Sequence, residues 1–230
     1  MFISIIIPTL NEENYTGALL EFLSTHPEKD RFEVIVVDGG SNDATVEKVS
    51  EHSCKLIVTS IQSRAHQMNA GASAANGEVL YFVHADTKLL PSFVDDIQEA
   101  INQGVMSGCY RFKFDAPRNP LLHVNGFFTR FPFMWCRGGD QTLFINNFDF
   151  EKIGGFDERF VIMEDYDLLE RIQAQGISFK VIPKSVKVSA RKYNRNSYMK
   201  VQLTNLQAMK MYKRRIDPAV IKEYYLNSLD

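Results

Sequence analysis

Four apolar runs, "ISIIIP", "EVIVVD", "KLIVTS" and "VLYFVH", punctuate the first hundred residues. Each is apolar at consecutive positions and carries β-branched residues, the pattern of strands buried on both faces. Between them lie stretches with helical spacing, roughly Glu13 to Ser24, Asp43 to Glu51, Arg64 to Ala75 and Pro91 to Gln103. Strand and helix alternating through short loops predict a parallel α/β sheet with right-handed crossovers. In an open sheet of that kind the loops at the carboxyl ends of the strands line the ligand crevice. Three such loops carry polar or Gly-rich residues: Pro8 to Glu12, Asp38 to Asp43, and His84 to Thr87.

The rhythm changes after Gly104. "SGCYRFKF" alternates like a half-solvated strand, and the aromatic, Asn- and Pro-rich stretch from Pro117 to Arg130 reads as a helix or a lid over a cleft. "GGDQTLFIN" predicts another strand, and "IGGFDERFVIMEDYDLLERIQAQG" a loop leading into a helix. "FKVIPKSVKVS" reads as one or two strands, and two helices finish the chain. No repeat, low-complexity segment or linker divides it, so one domain over residues 1–230 is expected.

Composition narrows the class. The 230 residues are 45% apolar and carry a net charge of −2, an ordinary globular balance with no global signal for nucleic acid. Cys54, Cys109 and Cys136 are widely spaced, without the clustering of a zinc site or a disulfide framework, and fit a reduced, cytoplasmic setting. The opening "MFISIIIPTLNEEN" is broken by Pro8 and two glutamates, so it reads as neither signal peptide nor membrane span. Charge is uneven, however. Between Glu170 and Asp217 there is no acid, yet that stretch holds twelve of the 26 Lys and Arg, including Arg191, Lys192, Arg195 and Lys213 to Arg215. A solvated helix face explains such a run, as does a clamp on a phosphorylated ligand or peripheral contact with an anionic membrane beside Met199, Leu203, Leu206 and Met209.

Several residues are candidates for chemistry. Asp38 closes a buried strand, and Gly39-Gly40 permit a tight turn or a close ligand approach. Arg64 opens a helix, where its charge opposes the dipole unless an anion sits nearby. Asn69 and Gly71 lower helix propensity in mid-helix; close packing accounts for Gly71, and His66 reads as a surface residue. Glu164 and Asp165 begin another helix, where acids serve as caps, or where an Asp facing a cleft takes a proton from a hydroxyl. Asp167 and Arg171 are spaced to pair. His84 and Asp86 end an apolar run one residue apart, which on a strand gives them a common face. A carboxylate there suits Mn²⁺ or Mg²⁺ held together with a diphosphate.

Taken in order, "PTLNEE", "VVDGGSNDAT", "RAHQMNAGA", "FVHADT" and "GGFDE…EDYDLLERI" resemble the family-2 glycosyltransferases of GT-A fold, over about residues 3 to 190. The "HADT" flavour is similar to small soluble bacterial members. The resemblance implies a Rossmann-like, mostly parallel central sheet flanked by helices, with C-terminal helices. Residues 1–103 would be the nucleotide-sugar-binding half, 104–190 the acceptor and catalytic half, and 191–230 a basic helical tail. It further implies that Pro8, Leu10 and Glu12 embrace base and ribose, that Asp38 bonds the base, and that Gly40 makes room for it. Arg64 would lie beside the nucleotide. Asp86 would hold the divalent metal as the last residue of an Asp-x-Asp motif whose first position is His84 here, an imidazole that either substitutes on the ribose side or ligates the metal itself. Asp165, with Glu164, matches the family's general base. The implied activity is metal-dependent, inverting transfer of a sugar from a nucleoside diphosphate sugar, a uridine diphosphate sugar first, to an acceptor hydroxyl. Arg137, Gly139, Asp140 and Gln141 are expected on the acceptor side, and a homodimer is compatible with these residues. The competing readings are a sugar-1-phosphate nucleotidyltransferase, against which the absence of a basic Gly-rich loop after the first strand counts, and a non-catalytic module that binds nucleotide sugar or membrane.

Overall fold

The computed structural model describes residues 1–229 except 116, 118, 132, 134–136 and 138–140. Its strands are β1 (Ile3–Thr9), β2 (Phe32–Asp38), β3 (Lys55–Val58), β4 (Val79–Phe82), β5 (Ser107–Phe114), β6 (Leu143–Asn146) and β7 (Phe179–Val188). The helices are α1 (Thr16–Ser24), α2 (Thr45–Ser50), α3 (Arg64–Ser73), α4 (Phe93–Asn102), α5 (Leu121–Phe128), α6 (Asn147–Lys152), α7 (Glu164–Ala174), α8 (Arg191–Arg195), α9 (Tyr198–Lys213) and α10 (Pro218–Ser228). One sheet joins the strands in the order β3-β2-β1-β4-β6-β5-β7. Strand β6 runs antiparallel to both β4 and β5, while β1 to β4 and the pair β5 and β7 are parallel.

Alternation along β1 shows why both faces are covered. Ile3, Ile5 and Ile7 join a core with Leu19, Leu20 and Leu23 of α1 and Phe93, Val94 and Ile97 of α4. Ile6 points to the other face, with Ala65 and Met68 of α3 and Leu168 and Ile172 of α7. That second core is tight. A Cβ on Gly71 would lie 2.4 Å from Ile6 Cγ2, so close packing of α3 on β1 accounts for the glycine.

The structure corrects several local expectations. The run at "KLIVTS" forms the edge strand β3, where Val58 is exposed, and so is not buried on both faces. The helix expected to start at Pro91 starts at Phe93. "FKVIPKSVKVS" is one strand, β7, which tolerates Pro183 because it lies at the other sheet edge. The chain finishes in three helices, and α6, a short helix whose Asn146 side chain accepts from Asp149 N, was not expected. Among the described residues no helix is long and apolar enough to cross a membrane.

Candidate active site

The loops after β1 and β2 are tied to each other. Asn11, with φ of 55°, donates its N–H to Ser41 Oγ at 2.8 Å, and its Oδ1 accepts from Asn42 N at 2.9 Å. Glu12 N donates to Thr45 Oγ1 at 2.8 Å, and Glu13 Oε2 accepts from Ala44 N at 3.1 Å. Two of the sequence motifs, "PTLNEE" and "DGGSNDAT", therefore form one hydrogen-bonded platform at the strand ends. Asp38 is its fully buried centre: its carboxylate accepts from Gly40 N, Ser41 N, Ser41 Oγ and Thr9 Oγ1 at 2.5 to 3.0 Å. Gly40 has φ of +85°, and that left-handed backbone rather than crowding requires glycine, since the nearest atom to an added Cβ is Thr59 O at 3.6 Å. From α3, Gln67 Nε2 donates to Thr9 O at 2.7 Å and Val37 O at 2.8 Å, locking the ends of β1 and β2 together.

Above this platform lies a cavity of about 250 Å³ lined by residues that include Pro8, Leu10, Glu12, Arg64, His84, Asp86 and Arg191. Asp38 and Gly40 support its floor loops without lining it. Strand β4 ends at Phe82, so His84 and Asp86 do not share a strand face; Thr87 N donates to His84 O at 3.0 Å, and a turn brings both side chains to the cavity. Arg191, from the start of α8, spans the mouth. Its guanidinium grips the Glu12 carboxylate at 2.5 and 2.6 Å and lies 3.7 Å from Asp86 Oδ2, over the ring of Tyr15. The hydrogen bond to Glu12 pushes the Arg191 pKa up against the opposing cost of burial.

A second cavity, of about 690 Å³, is walled by α5, the start of α7 and the C-terminal helices. Arg64 lines both cavities. It is 3.2 Å from Glu164 Oε1 and 3.8 Å from Asp165 Oδ2, both at the first turn of α7. The anion that a cation at the start of α3 calls for is thus supplied by carboxylates of another helix start. Glu164 is buried and Asp165 partly exposed on the larger cavity. Residue Met163, in the left-handed region at φ 67°, turns the chain into α7.

The loop before α7 is held from two sides. Asn69 of α3 donates to Phe156 O at 2.8 Å and accepts from Phe156 N at 2.9 Å, and Arg171 donates to Ile153 O and Gly155 O at 2.8 and 2.7 Å. Arg171 also pairs with Asp167 at 2.6 Å, as the spacing predicts. His66 is bonded to Glu158 at 2.9 Å on the partly exposed side of the same joint.

The acceptor-side expectations divide. Arg137 is buried, lines the larger cavity, and donates to Cys109 Sγ at 3.1 Å, while its backbone oxygen accepts from Tyr166 Oη. Gln141 instead turns to Tyr110 O at 3.2 Å. Gly139 and Asp140 lie outside the described residues. Arg191 is the site residue the sequence assigned no specific role, because its partner Glu12 is 179 positions away.

With both Glu12 oxygens held by Arg191, the cavity offers a metal one carboxylate and one imidazole, Asp86 and His84, and no group of three or more His, Cys, Asp or Glu suited to a metal exists among the described residues. That pair fits a divalent cation that takes most of its ligands from a diphosphate and water, and does not fit an all-protein metal cage.

Comparison with known proteins places the fold and the family. The mannosyltransferase PcManGT from Pyrobaculum calidifontis, solved in complex with GDP-Man and Mn²⁺, superposes with a TM-score of 0.68 at 17% identity, over 92% of this chain and 64% of that one. Staphylococcus aureus TarS residues 1–349 in complex with UDP-GlcNAc gives 0.65 at 18% identity, over 99% and 72%. These likenesses establish the GT-A fold. In sequence, the chain is 27% identical over 187 residues to an uncharacterized glycosyltransferase of Haemophilus influenzae, covering 74% of this chain and 61% of the relative. It is 34% identical over 95 residues to the dolichyl N-acetyl-α-D-glucosaminyl phosphate 3-β-D-2,3-diacetamido-2,3-dideoxy-β-D-glucuronosyltransferase of Methanococcus voltae, covering 36% and 29%. It therefore spans less than two thirds of the length of these relatives. The sequence model of glycosyl transferase family 2 matches residues 4–155, about two thirds of the chain, and the chain belongs to that family.

Proposed function

We propose that the chain is an inverting glycosyltransferase that moves a sugar from a nucleoside diphosphate sugar, a uridine diphosphate sugar first among the donors to test, to an acceptor hydroxyl. The observation that carries this reading is Arg64, which lines both cavities and stands beside Glu164 and Asp165 where the two meet. The smaller cavity, floored by the Asp38 platform, receives the nucleotide at the strand ends. Pro8, Leu10 and Glu12 border base and ribose, and Asp38 reaches the base only by exchanging one of its present hydrogen bonds. The larger cavity receives the acceptor.

In the transfer, Asp165 takes the proton of the acceptor hydroxyl while its oxygen attacks the anomeric carbon from the face opposite the diphosphate. The carbon–oxygen bond to the phosphate breaks, and its electron pair leaves with the nucleoside diphosphate. Arg64 stands where that negative charge develops, and Arg191 contributes by trading Glu12 for phosphate. A Mn²⁺ or Mg²⁺ held by Asp86 with His84 would neutralise the departing diphosphate. Glu164, buried against Arg64, positions that guanidinium.

The test is thermal unfolding of the intact chain with each nucleoside diphosphate, with and without Mn²⁺. A ligand at about 100 times its Kd stabilises by about 2.7 kcal/mol, a readily measured shift. Asp165→Asn is expected to keep that shift and to lose donor turnover by roughly 10²- to 10⁴-fold. If no nucleoside diphosphate raises the melting temperature, the reading fails.

A further inference from the structure

The larger cavity combines carboxylates with apolar side chains that are exposed at its rim. Its lining includes buried Glu164 and partly exposed Asp165, yet also Val124 and Phe128 of α5, Leu206 of α9 and Leu226 of α10. Those four apolar side chains are 37% to 62% exposed. Single exposed apolar residues are normal, but four from three separate elements converging on one concavity are not, because water there gains nothing from them. At about 690 Å³ the cavity lies in the range of small-molecule sites and is far larger than the polar cavity beside it. Nearby positions extend the apolar surface: Leu121 and Phe127 on α5, Met199 and Leu203 on α9, all near half exposed or more. Lys192 and Lys222 are also in the lining, so an anionic group on the ligand is accommodated as well.

We propose that the acceptor is an amphiphile, with a hydroxyl-bearing head that reaches Asp165 and an apolar chain that lies against Val124, Phe128, Leu206 and Leu226. This rests on the transferase reading and names the class of its second substrate. A purely polar acceptor, such as a free sugar, leaves the apolar rim in water, whereas an apolar chain removes it from water at the same time as it delivers the hydroxyl. A fixed direction follows: the chain points out between α5 and α9, and the reacting oxygen points in toward α7.

The experiment compares n-octyl β-D-glucopyranoside with methyl β-D-glucopyranoside, below the micelle concentration, by calorimetry on the intact chain. Burial of three methylenes predicts about fifty-fold tighter binding of the octyl compound, the equivalent of roughly 2.4 kcal/mol. Leu206→Asp and Leu226→Asp are expected to remove that preference; both positions are more than half exposed, so the fold does not depend on them. Phe148→Asp, at an exposed apolar position of α6 outside the cavity lining, is expected to leave it intact and so separates the site from general stickiness. Equal binding of the two glucosides, or an octyl preference that survives Leu206→Asp, overturns the proposal, as does a solution dimer that Leu206→Asp dissociates. Nucleoside diphosphate binding measured in parallel keeps this failure distinct from failure of the transferase reading. Sedimentation with phosphatidylcholine–phosphatidylglycerol vesicles then identifies the source: binding assigns a membrane lipid, and no binding with the octyl preference retained assigns a soluble amphiphile, each in support of the class.

Discussion

Replacement of Asn69 tests how the start of α7 is held in place. Its amide makes hydrogen bonds at 2.8 and 2.9 Å to the backbone of Phe156 and a third at 3.0 Å to Glu158. The Phe156 side chain is buried in the second core, and Gly155 beside it has no room for a Cβ, which would lie 2.8 Å from Asn69 Oδ1. In Asn69→Ala the Phe156 N–H and C=O both lose their partner. Each loss costs about 1 kcal/mol where water partly compensates, toward the low end for an orphaned buried group. The exposed Glu158 contact adds a few tenths of a kcal/mol at most. Alanine returns up to about 0.7 kcal/mol of helix propensity. The net is a destabilisation of about 1.5 to 2 kcal/mol, or roughly 3 to 8 °C in Tm for a chain of this length. Urea denaturation and calorimetry read the stability, and donor turnover reads the function, which is expected to fall because the loop into α7 loses one of its two anchors. Asn69→Asp is expected to cost more than Asn69→Ala at neutral pH, since a carboxylate cannot donate to Phe156 O and faces Glu158. An Asn69→Ala variant as stable as the parent, or an aspartate variant more stable than the alanine one, would refute the reasoning.

Other outcomes are equally specific. Gly71→Ala gains about 1 kcal/mol of helix propensity but drives a methyl into Ile6, at a typical cost of 1 to 3 kcal/mol, so it is expected to destabilise. A stabilised variant in urea denaturation would show that α3 does not pack on β1 as described. Hydrogen bonds from Asn69 and then His66 depress the Glu158 carboxyl below its ordinary value. A depressed carboxyl stabilises the fold above the unfolded pKa and ceases to do so as pH falls through the folded one. Glu158→Gln should therefore differ from the parent near pH 6, by a few tenths of a kcal/mol for so exposed a group, and converge with it at about pH 3. Asp86→Ala is expected to abolish any Mn²⁺ dependence of nucleotide binding in calorimetry, with the fold of the variant checked by its urea denaturation. Unchanged metal dependence would remove Asp86 from the site.

Local periodicity alone determined the strands of the amino-terminal half, most helix spans to within two or three residues, and the Asp167–Arg171 pair. These features follow from short continuous apolar runs and 3.6-residue repeats that any short window displays. It also placed the three polar loops at one sheet edge, because a parallel sheet with short crossovers has only one set of carboxyl ends. Tertiary structure decided the rest. Strand alternation could not show that β4 stops at Phe82 and that a turn, not a pleat, brings His84 and Asp86 together, since the end of a strand depends on where its neighbours stop pairing. The charge on Arg64 finds its carboxylates a hundred positions away, and Arg191 finds Glu12 across 179, distances over which sequence carries no periodic signal. Asn69 is the plainest case: a poor helix former in its own helix, it is explained only by the backbone of Phe156, which packing and not local geometry brings within hydrogen-bond reach.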